Sequence, residues 1–131
     1  MNLNNFLGPI DLQGEDRWGA INELVSHLVA NHKIKPEHRN AVVESVKKRE
    51  LSMSTGIGSG IGLPHASTDL VEELVGAIGR SRKGVQFDAL DGKLVNVVAL
   101  FLVPKGQFQK HLHALSDLAK LLGNNNFRNG L

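Results

Sequence analysis

The sequence contains no cysteine and no tyrosine, and aromatic residues make up only 5% of its 131 residues. The absence of cysteine excludes disulfides, thiolate zinc sites and a cysteine nucleophile. A chain this poor in aromatic side chains must build its core from aliphatic ones, and hydrophobic residues account for 41% of the sequence. This length and balance predict a single globular domain over residues 1–131.

Long apolar runs and strong charge are also lacking. No run approaches the ~20 apolar residues that span a bilayer, and the N-terminus lacks the basic start and apolar stretch of a signal peptide. We therefore predict a cytoplasmic protein without direct membrane insertion. The net charge is +2, and the basic stretches at 47–49 and 80–83 are short and have no interleaved aromatic residues. No nucleic-acid partner is predicted.

Hydrophobic periodicity predicts three helices and a buried sheet. Amphipathic spacing predicts helices over residues 16–31, with Asp16 as N-cap, 36–50 and 108–122. Strands are predicted at 75–79 and 85–89, with a turn at 80–84 between them, and at 94–103, where nearly every residue is apolar. The predicted fold is α/β, a single-domain sandwich with a mixed central β-sheet flanked by helices on both faces.

Residues 54–65, with the sequence STGIGSGIGLPH, carry four glycines at alternate positions and end in proline and histidine. The dinucleotide-binding, Walker and nucleophile-elbow fingerprints all fail here, because other residues occupy their required positions. No cofactor is predicted. Two interpretations remain: either the glycines let another part of the chain pack closely, or they form a functional loop, which their density favours.

His65 is the predicted chemical centre of this segment. Pro64 fixes its own φ and so stiffens the backbone directly before the histidine. Near pH 7 an imidazole is largely neutral and nucleophilic, so it can accept a phosphoryl group and pass it on. The alternative is a histidine with a structural role only.

The third predicted helix carries two further histidines. His111 lies at the edge of an apolar stripe and is predicted to face a cleft beside the core, whereas His113 is predicted to lie on the solvent side. The alternative for His111 is a boundary residue bonded to a backbone carbonyl. Positions i and i+2 of a helix do not face each other, so the pair predicts no metal site. The stripe consists of Phe108, Leu112, Leu115, Ala119 and Leu122.

Arg49 ends the second predicted helix, directly before the glycine-rich segment. A cation is favourable at a helix C-terminus, and this is the simpler interpretation of Arg49. The alternative is bidentate phosphate binding, for which a guanidinium is better suited than an ammonium group. The neighbouring Lys47 and Lys48 are interpreted as a solvated helix end.

These motifs together resemble the enzyme IIA domains of the bacterial phosphoenolpyruvate-dependent sugar phosphotransferase system, in the fructose, mannitol and nitrogen-regulatory class. The resemblance is carried by RE at 49–50, STGIG at 54–58 and LPH at 63–65. The segment VQFDALDG at 85–92, and HLHAL at 111–115 after VP at 103–104, are similar to further motifs of the family. The resemblance covers nearly the whole chain.

The resemblance implies a phosphotransferase that works through a phosphohistidine. His65 would accept the phosphoryl group from the histidine phosphocarrier protein and pass it to an enzyme IIB for sugar uptake. His111 and Arg49 would hold the phosphate, Thr55 and Gly56 would lie around it, and the glycine-rich loop would shape the shallow cavity on which the partners dock.

Two alternatives accompany this function. The first is a nitrogen-class enzyme IIA that controls regulated proteins by its phosphorylation state, and the second is a binding module in which His65 is inert. Many members of the family continue with a further C-terminal helix beyond the position of Leu131. The resemblance therefore predicts a domain without that helix, either as a truncated form or as a short member.

Overall fold

A mixed β-sheet divides the molecule into two layers. The computed structural model describes residues 6–52, 54–58, 60–89 and 91–124, apart from the side chain of Ile57, and in these residues the sheet has six strands. The strands are β1 (Phe6–Asp11), β2 (Gly56–Gly58), β3 (Ile61–Gly62), β4 (His65–Thr68), β5 (Val75–Val85) and β6 (Val95–Pro104). The helices are α1 (Arg17–Ala30), α2 (Arg39–Ser52) and α3 (Phe108–Leu122).

Strand β6 organises the sheet, whose order is β1-β5-β6-β3-β2. It runs antiparallel to β5 and parallel to both β3 and β4, which occupy successive stretches of its other side. Strand β4 pairs with the last part of β6, and its first residue, His65, lies opposite Phe101. His65 therefore lies at the start of a strand that forms an edge of the sheet.

Alternate residues of β6 pack into opposite layers, as the apolar run predicts. Val98, Leu100 and Leu102 belong to the core that α1 and α2 complete. Val97, Ala99 and Phe101 pack in the clusters that include buried residues of α3. The predicted sandwich, with helices on both faces of a mixed sheet, is confirmed.

The helix bounds follow the local sequence signals closely. Helix α1 begins after Asp16, whose side chain accepts a hydrogen bond from the Gly19 N–H at 2.9 Å, as an N-cap does. Helix α3 has the predicted bounds, and α2 begins at Arg39 because Pro36–His38 forms a 3-10 turn before it. None of the helices in the described residues is long and apolar enough to cross a membrane.

Strand β5 differs from the prediction. It continues through residues 80–84, where the sequence predicts a turn, so the turn and the separate strand at 85–89 are wrong. The pairing with β6 instead shifts between Arg80 and Val85, and the extra residues form an irregular bulge. Gly84, at φ +92°, donates its N–H to the Ser81 hydroxyl at 3.0 Å inside this bulge.

Strands β1 and β4 are absent from the sequence prediction. Residues 125–131, which end the predicted domain, lie outside the described residues.

Candidate functional site

A cavity of about 640 Å³ opens beside β4, between α2 and α3. Strand β4 contributes His65 to its lining, and α2 contributes residues at positions 45, 48, 49 and 52, a spacing that places them on one face of the helix. The part of the lining that α2 contributes thus carries two cations and two hydroxyl groups. The lining residues are Ser45, Lys48, Arg49, Ser52, His65, Ala66, Ser67 and Phe108.

The His65 ring is held by a backbone hydrogen bond and by aromatic contacts. Its Nδ1 lies 2.8 Å from the carbonyl oxygen of Leu63, and because a carbonyl only accepts, Nδ1 carries the proton. The ring stacks on Phe101, with 4.7 Å between centroids and 3° between planes, and its centroid lies 6.0 Å from that of Phe108. In the neutral ring, Nε2 is therefore the nitrogen with a free lone pair.

Electrostatics favour this neutral ring. Burial is the main cause that lowers the pKa of His65 below its ordinary value of 6.5. The hydrogen bond to Leu63 acts in the opposite direction, the positive charge of Arg49 lowers the pKa further, and the negative charge of Glu50 raises it. With its pKa lowered, the ring is neutral at pH 7, the form in which Nε2 acts as a nucleophile.

The structure brings Arg49 to the same cavity as His65. The arginine is exposed in the last turn of α2, and no side chain in the described ranges forms an ion pair or hydrogen bond with its guanidinium. Its charge nevertheless acts on the imidazole. A cation with no partner in the described part of the chain, in the same cavity as a neutral imidazole, is suited to bind an anion that reaches the cavity.

His111 is half-buried on α3 but is not part of the cavity lining. It lies on the helix face that packs against the sheet, because residues 111, 115, 118 and 122 recur at helical spacing and the last three are buried. Phe108, whose ring contacts His65, lies one turn before it. Within the described part of the chain, no hydrogen bond or ion pair involves the His111 ring.

The solvent side of α3 carries His113, whose side chain is 94% exposed and whose Nε2 lies 3.5 Å from an Asp117 carboxylate oxygen. This confirms His113 as a surface residue. The predicted stripe, however, is wrong at Leu112, which is 46% exposed. The buried face of the helix is rotated away from it and is formed by Leu115, Leu118 and Leu122.

Thr55 and Gly56, the predicted neighbours of the phosphate, are buried and do not line the cavity. The amide and the hydroxyl of Thr55 both donate to the Glu50 carboxylate, at 2.8 and 2.5 Å. A Cβ added to Gly56 would lie 2.8 Å from the Cβ of Ala89. The structure therefore does not bring these two residues to the imidazole directly.

The glycine-rich segment folds as a hairpin of β2 and β3. Its turn places Gly58 and Gly60 at φ +94° and +79°, where a side chain would be strained. A Cβ on Gly62 would lie 2.9 Å from ring atoms of Phe87. Close packing is thus the role that the structure gives Gly56 and Gly62, and no glycine of the described segment lines the cavity.

Sequence reasoning missed several lining residues. The helical spacing to Arg49 relates Ser45, Lys48 and Ser52 to this face of α2, but from the sequence Lys48 is interpreted as part of a solvated helix end and neither serine is singled out. The position of Ser67 depends on β4, which was not predicted. In the described residues, no three histidine, aspartate or glutamate side chains are grouped so as to hold a metal ion.

Comparison with known proteins agrees with the geometry. A family model for the phosphoenolpyruvate-dependent sugar phosphotransferase system, EIIA 2, matches residues 5–131. Over 113 residues, 86% of the chain, the sequence is 36% identical to a fructose-specific EIIA component from Haloferax volcanii, of which it covers 72%. Over 103 residues, 76% of the chain, it is 38% identical to a nitrogen regulatory protein from Escherichia coli, of which it covers 61%.

A third relative is much longer. Over 113 residues, 86% of the chain, the sequence is 36% identical to a fructose-specific EIIABC component from Bacillus subtilis, but it spans only 18% of that protein.

Two solved structures are also similar. The crystal structure of nitrogen regulatory protein IIA-Ntr from Neisseria meningitidis gives a TM-score of 0.81 at 30% identity, covering 98% of this chain and 84% of that one. A complex of enzyme IIA and phosphorylated enzyme IIB for mannitol from Escherichia coli gives a TM-score of 0.70, covering 95% of this chain and 82% of that one. Its identity of 18% shows a shared fold alone.

Proposed function

Because this chain belongs to the enzyme IIA family of the phosphoenolpyruvate-dependent sugar phosphotransferase system, we propose that His65 carries its phosphoryl group. Nε2 of His65 accepts the group from the histidine phosphocarrier protein and passes it to an enzyme IIB for sugar uptake. In this proposal residues 1–131 act as one enzyme IIA-like domain in the cytoplasm. A fructose-specific relative and a similar fold in complex with phosphorylated enzyme IIB support it.

The observation that carries the proposal is the state of the His65 ring. Nδ1 donates a hydrogen bond to the carbonyl oxygen of Leu63 and the ring is neutral, so the nitrogen available for bonding is Nε2. In the transfer, the N–P bond of the donor histidine breaks as a new N–P bond forms at Nε2, and the Nδ1 proton stays where it is. Passing the group on breaks the N–P bond at Nε2 as phosphorus bonds to the accepting side chain of enzyme IIB.

Charge near the ring supports the same chemistry. Phosphoryl transfer proceeds through a loose transition state, so catalysis depends mainly on positioning and on stabilising charge. A bound phosphoryl group brings about −1.5 to −2 charges, and Arg49 and Lys48 supply cations at the cavity wall. The aromatic contacts of His65 restrict its ring. Since α3 places His111 one turn beyond Phe108, we propose that His111 assists in holding the phosphate.

A second candidate function is regulation. The relatives include a nitrogen regulatory protein at 38% identity, and the structure of nitrogen regulatory protein IIA-Ntr gives a TM-score of 0.81. In that case the same His65 is phosphorylated, and the added charge decides which regulated protein binds. A third possibility, a binding module with an inert His65, shares the fold but not the chemistry.

Phosphorylation by purified components tests the proposal. The protein is incubated with phosphoenolpyruvate, enzyme I and the histidine phosphocarrier protein. We expect an acid-labile, base-stable phosphate that is lost in His65→Ala and retained in His113→Ala, the matched control at an exposed histidine. Absence of label in the wild type, or label that persists in His65→Ala, refutes the proposal.

A further assay separates the first two functions. Sugar phosphorylation that depends on this protein and an enzyme IIB identifies the transport function. Binding of a regulated protein that changes with the phosphorylation state of His65, without transfer to a sugar, identifies regulation.

A further inference from the structure

Glu50 is a buried carboxylate next to Arg49, and its side chain is fully shielded from solvent. Burial of a carboxylate is unfavourable unless cations or hydrogen-bond donors compensate it. Here the compensation comes from Arg17, which is 33 residues away in sequence, and from Thr55, which lies five residues after Glu50. Arg17 Nη1, at the start of α1, lies 3.3 Å from Oε2, and Thr55 donates its N–H to Oε2 and its hydroxyl to Oε1.

A series of hydrogen bonds leads from this carboxylate to the candidate nucleophile. Thr55, fixed by Glu50 through both its amide and its hydroxyl, accepts the Leu63 N–H at its carbonyl oxygen at 3.1 Å. Leu63 in turn accepts the Nδ1 proton of His65 at 2.8 Å. The hairpin of β2 and β3 lies between Thr55 and Leu63, so the hydrogen bond between these two residues joins the two ends of the hairpin. The same bond fixes the position of the Leu63 carbonyl.

We propose that Glu50 is a positioning residue for His65, acting through Thr55 and Leu63. Glu50 fixes the base of the hairpin and thereby keeps the Leu63 carbonyl in position to accept a hydrogen bond from Nδ1–H. Nε2 is then the unprotonated nitrogen. This inference rests on the proposed function for its consequence in phosphoryl transfer, but the position of the proton is a property of the unphosphorylated protein. Neither the motifs nor the cavity lining assigns Glu50 this role.

Arg17 makes the arrangement depend on the negative charge of Glu50. Its guanidinium also approaches the Phe87 carbonyl at 3.4 Å and the Asp88 carboxylate at 3.6 Å, so it joins α2 to the segment after β5. A carboxylate accepts from Arg17 and from both donors of Thr55. An amide in the same place has one oxygen and presents its NH₂ group to these donors, which leaves at least one of them unpaired.

The test combines a spectroscopic readout with kinetics. Histidine side chains are labelled with ¹⁵N, and the His65 signals are identified by their absence in His65→Ala. The variants are Glu50→Gln, Thr55→Val and Thr55→Ser, with Glu44→Gln as the matched control, because Glu44 is an exposed glutamate on the same helix. Circular dichroism and thermal melting establish which variants are folded.

We expect the wild type, Glu44→Gln and Thr55→Ser to show His65 with its proton on Nδ1. Glu50→Gln and Thr55→Val should show a mixture of both tautomers, because the first changes the acceptor and the second removes the donor of the hydroxyl–carboxylate hydrogen bond, which Thr55→Ser retains. In phosphorylation assays, kcat should fall about tenfold or more in the two variants that show both tautomers, while KM for the carrier protein stays unchanged. The reason is that even ~1 Å of misplacement can lower a rate about 100-fold. Some label should then be found on Nδ1.

Folded Glu50→Gln or Thr55→Val protein that keeps the single Nδ1–H tautomer overturns the inference. If Glu50→Gln does not fold, Thr55→Val decides, because it removes one hydroxyl and retains the side-chain volume. A wild type that shows the tautomer but takes no phosphoryl label refutes the proposed function, whereas the tautomer comparison still tests the role of Glu50.

Discussion

At the scale of single residues, the guanidinium of Arg49, which has no partner among the described residues, tests how much the proposed phosphoryl transfer depends on charge in the cavity. A hydrogen bond to a charged group contributes about 1.5–3 kcal/mol, which corresponds to about 10- to 150-fold in rate. We expect Arg49→Ala to slow phosphorylation of His65 by a factor in that range. Arg49→Lys should restore part of the rate, since an ammonium group supplies charge without the planar fork.

Stability should not change with Arg49→Ala, because no described side chain pairs with this guanidinium. Arg82→Ala is the matched control, since Arg82 is also exposed but lines a different cavity. Phosphorylation rates with the histidine phosphocarrier protein and thermal melting measure the two properties. An unchanged rate in Arg49→Ala, or a loss of rate that is equal in Arg82→Ala, contradicts the role of Arg49 in binding phosphate.

Sequence reasoning reached His65 and Arg49 because each stands beside an unusual local feature, the glycine-rich segment. It did not reach Glu50, although this residue belongs to the motif that the resemblance used. A glutamate at the end of a polar helix is normally solvated, and its burial here depends on Arg17 of α1 and on Thr55, which lies directly before β2. The contact with Arg17, 33 residues away in sequence, is not visible in a local pattern.

At the scale of elements, the hairpin of β2 and β3 packs closely against Phe87 and Ala89 because its glycines have no side chains at the contact. A Cβ on Gly62 would lie 2.9 Å from the Phe87 ring, and Phe87 is itself fully buried. Overpacking a core of this kind costs about 1–3 kcal/mol. We expect Gly62→Ala to lower the free energy of unfolding by that amount, as measured by urea denaturation.

Gly123→Ala serves as the control for that measurement. An added Cβ there would have no neighbour closer than 3.4 Å, and its φ of −73° suits any residue. Its free energy of unfolding should stay within about 0.5 kcal/mol of the wild type. Equal effects of the two substitutions would show that the hairpin does not depend on close approach to Phe87, and would favour the functional-loop interpretation of the glycines.

The elements predicted best are those whose pattern is long and uniform. Helices α1 and α3 and strand β6 agree with the prediction because 10 or more consecutive residues carry each signal. Strand β4 has only four residues and the sequence HAST, so its pairing with β6 supplies what its composition does not. The sequence prediction divides β5 into two strands because the bulge that contains Arg80 and Gly84 has the composition of a turn.

At the scale of the whole molecule, the sandwich explains why the candidate site lies where it does. Helices α1 and α2 cover one face of the sheet and α3 covers the other. At the edge formed by β4, both layers end close to the same strand, so α2 and α3 each reach the cavity beside His65. At such an edge the proposed nucleophile, His65, borders a cavity, while Phe101, on which its ring stacks, belongs to the core.

The lowered pKa of His65 makes global stability depend on pH. In the unfolded chain the His65 ring binds a proton near pH 6.5. In the folded protein burial lowers the pKa of this ring, so it stays neutral to a lower pH. Between 6.5 and the lower folded pKa, the unfolded state therefore holds more protons. This contribution to the free energy of unfolding is complete above pH 6.5 and is lost as the pH falls through that window, by at most about 1.4 kcal/mol per pH unit.

His65→Gln removes this contribution and leaves the other histidines in place. We expect the free energy of unfolding of the wild type to fall more than that of His65→Gln when the pH decreases from about 7.5 to about 5.5. His113→Gln is the matched control, because it removes an imidazole that is exposed to solvent in the folded protein. Urea denaturation of the three proteins at each pH provides the comparison. Parallel curves for the wild type and His65→Gln would mean that folding does not hold the ring neutral, and the availability of Nε2 at pH 7 would then lose its physical basis.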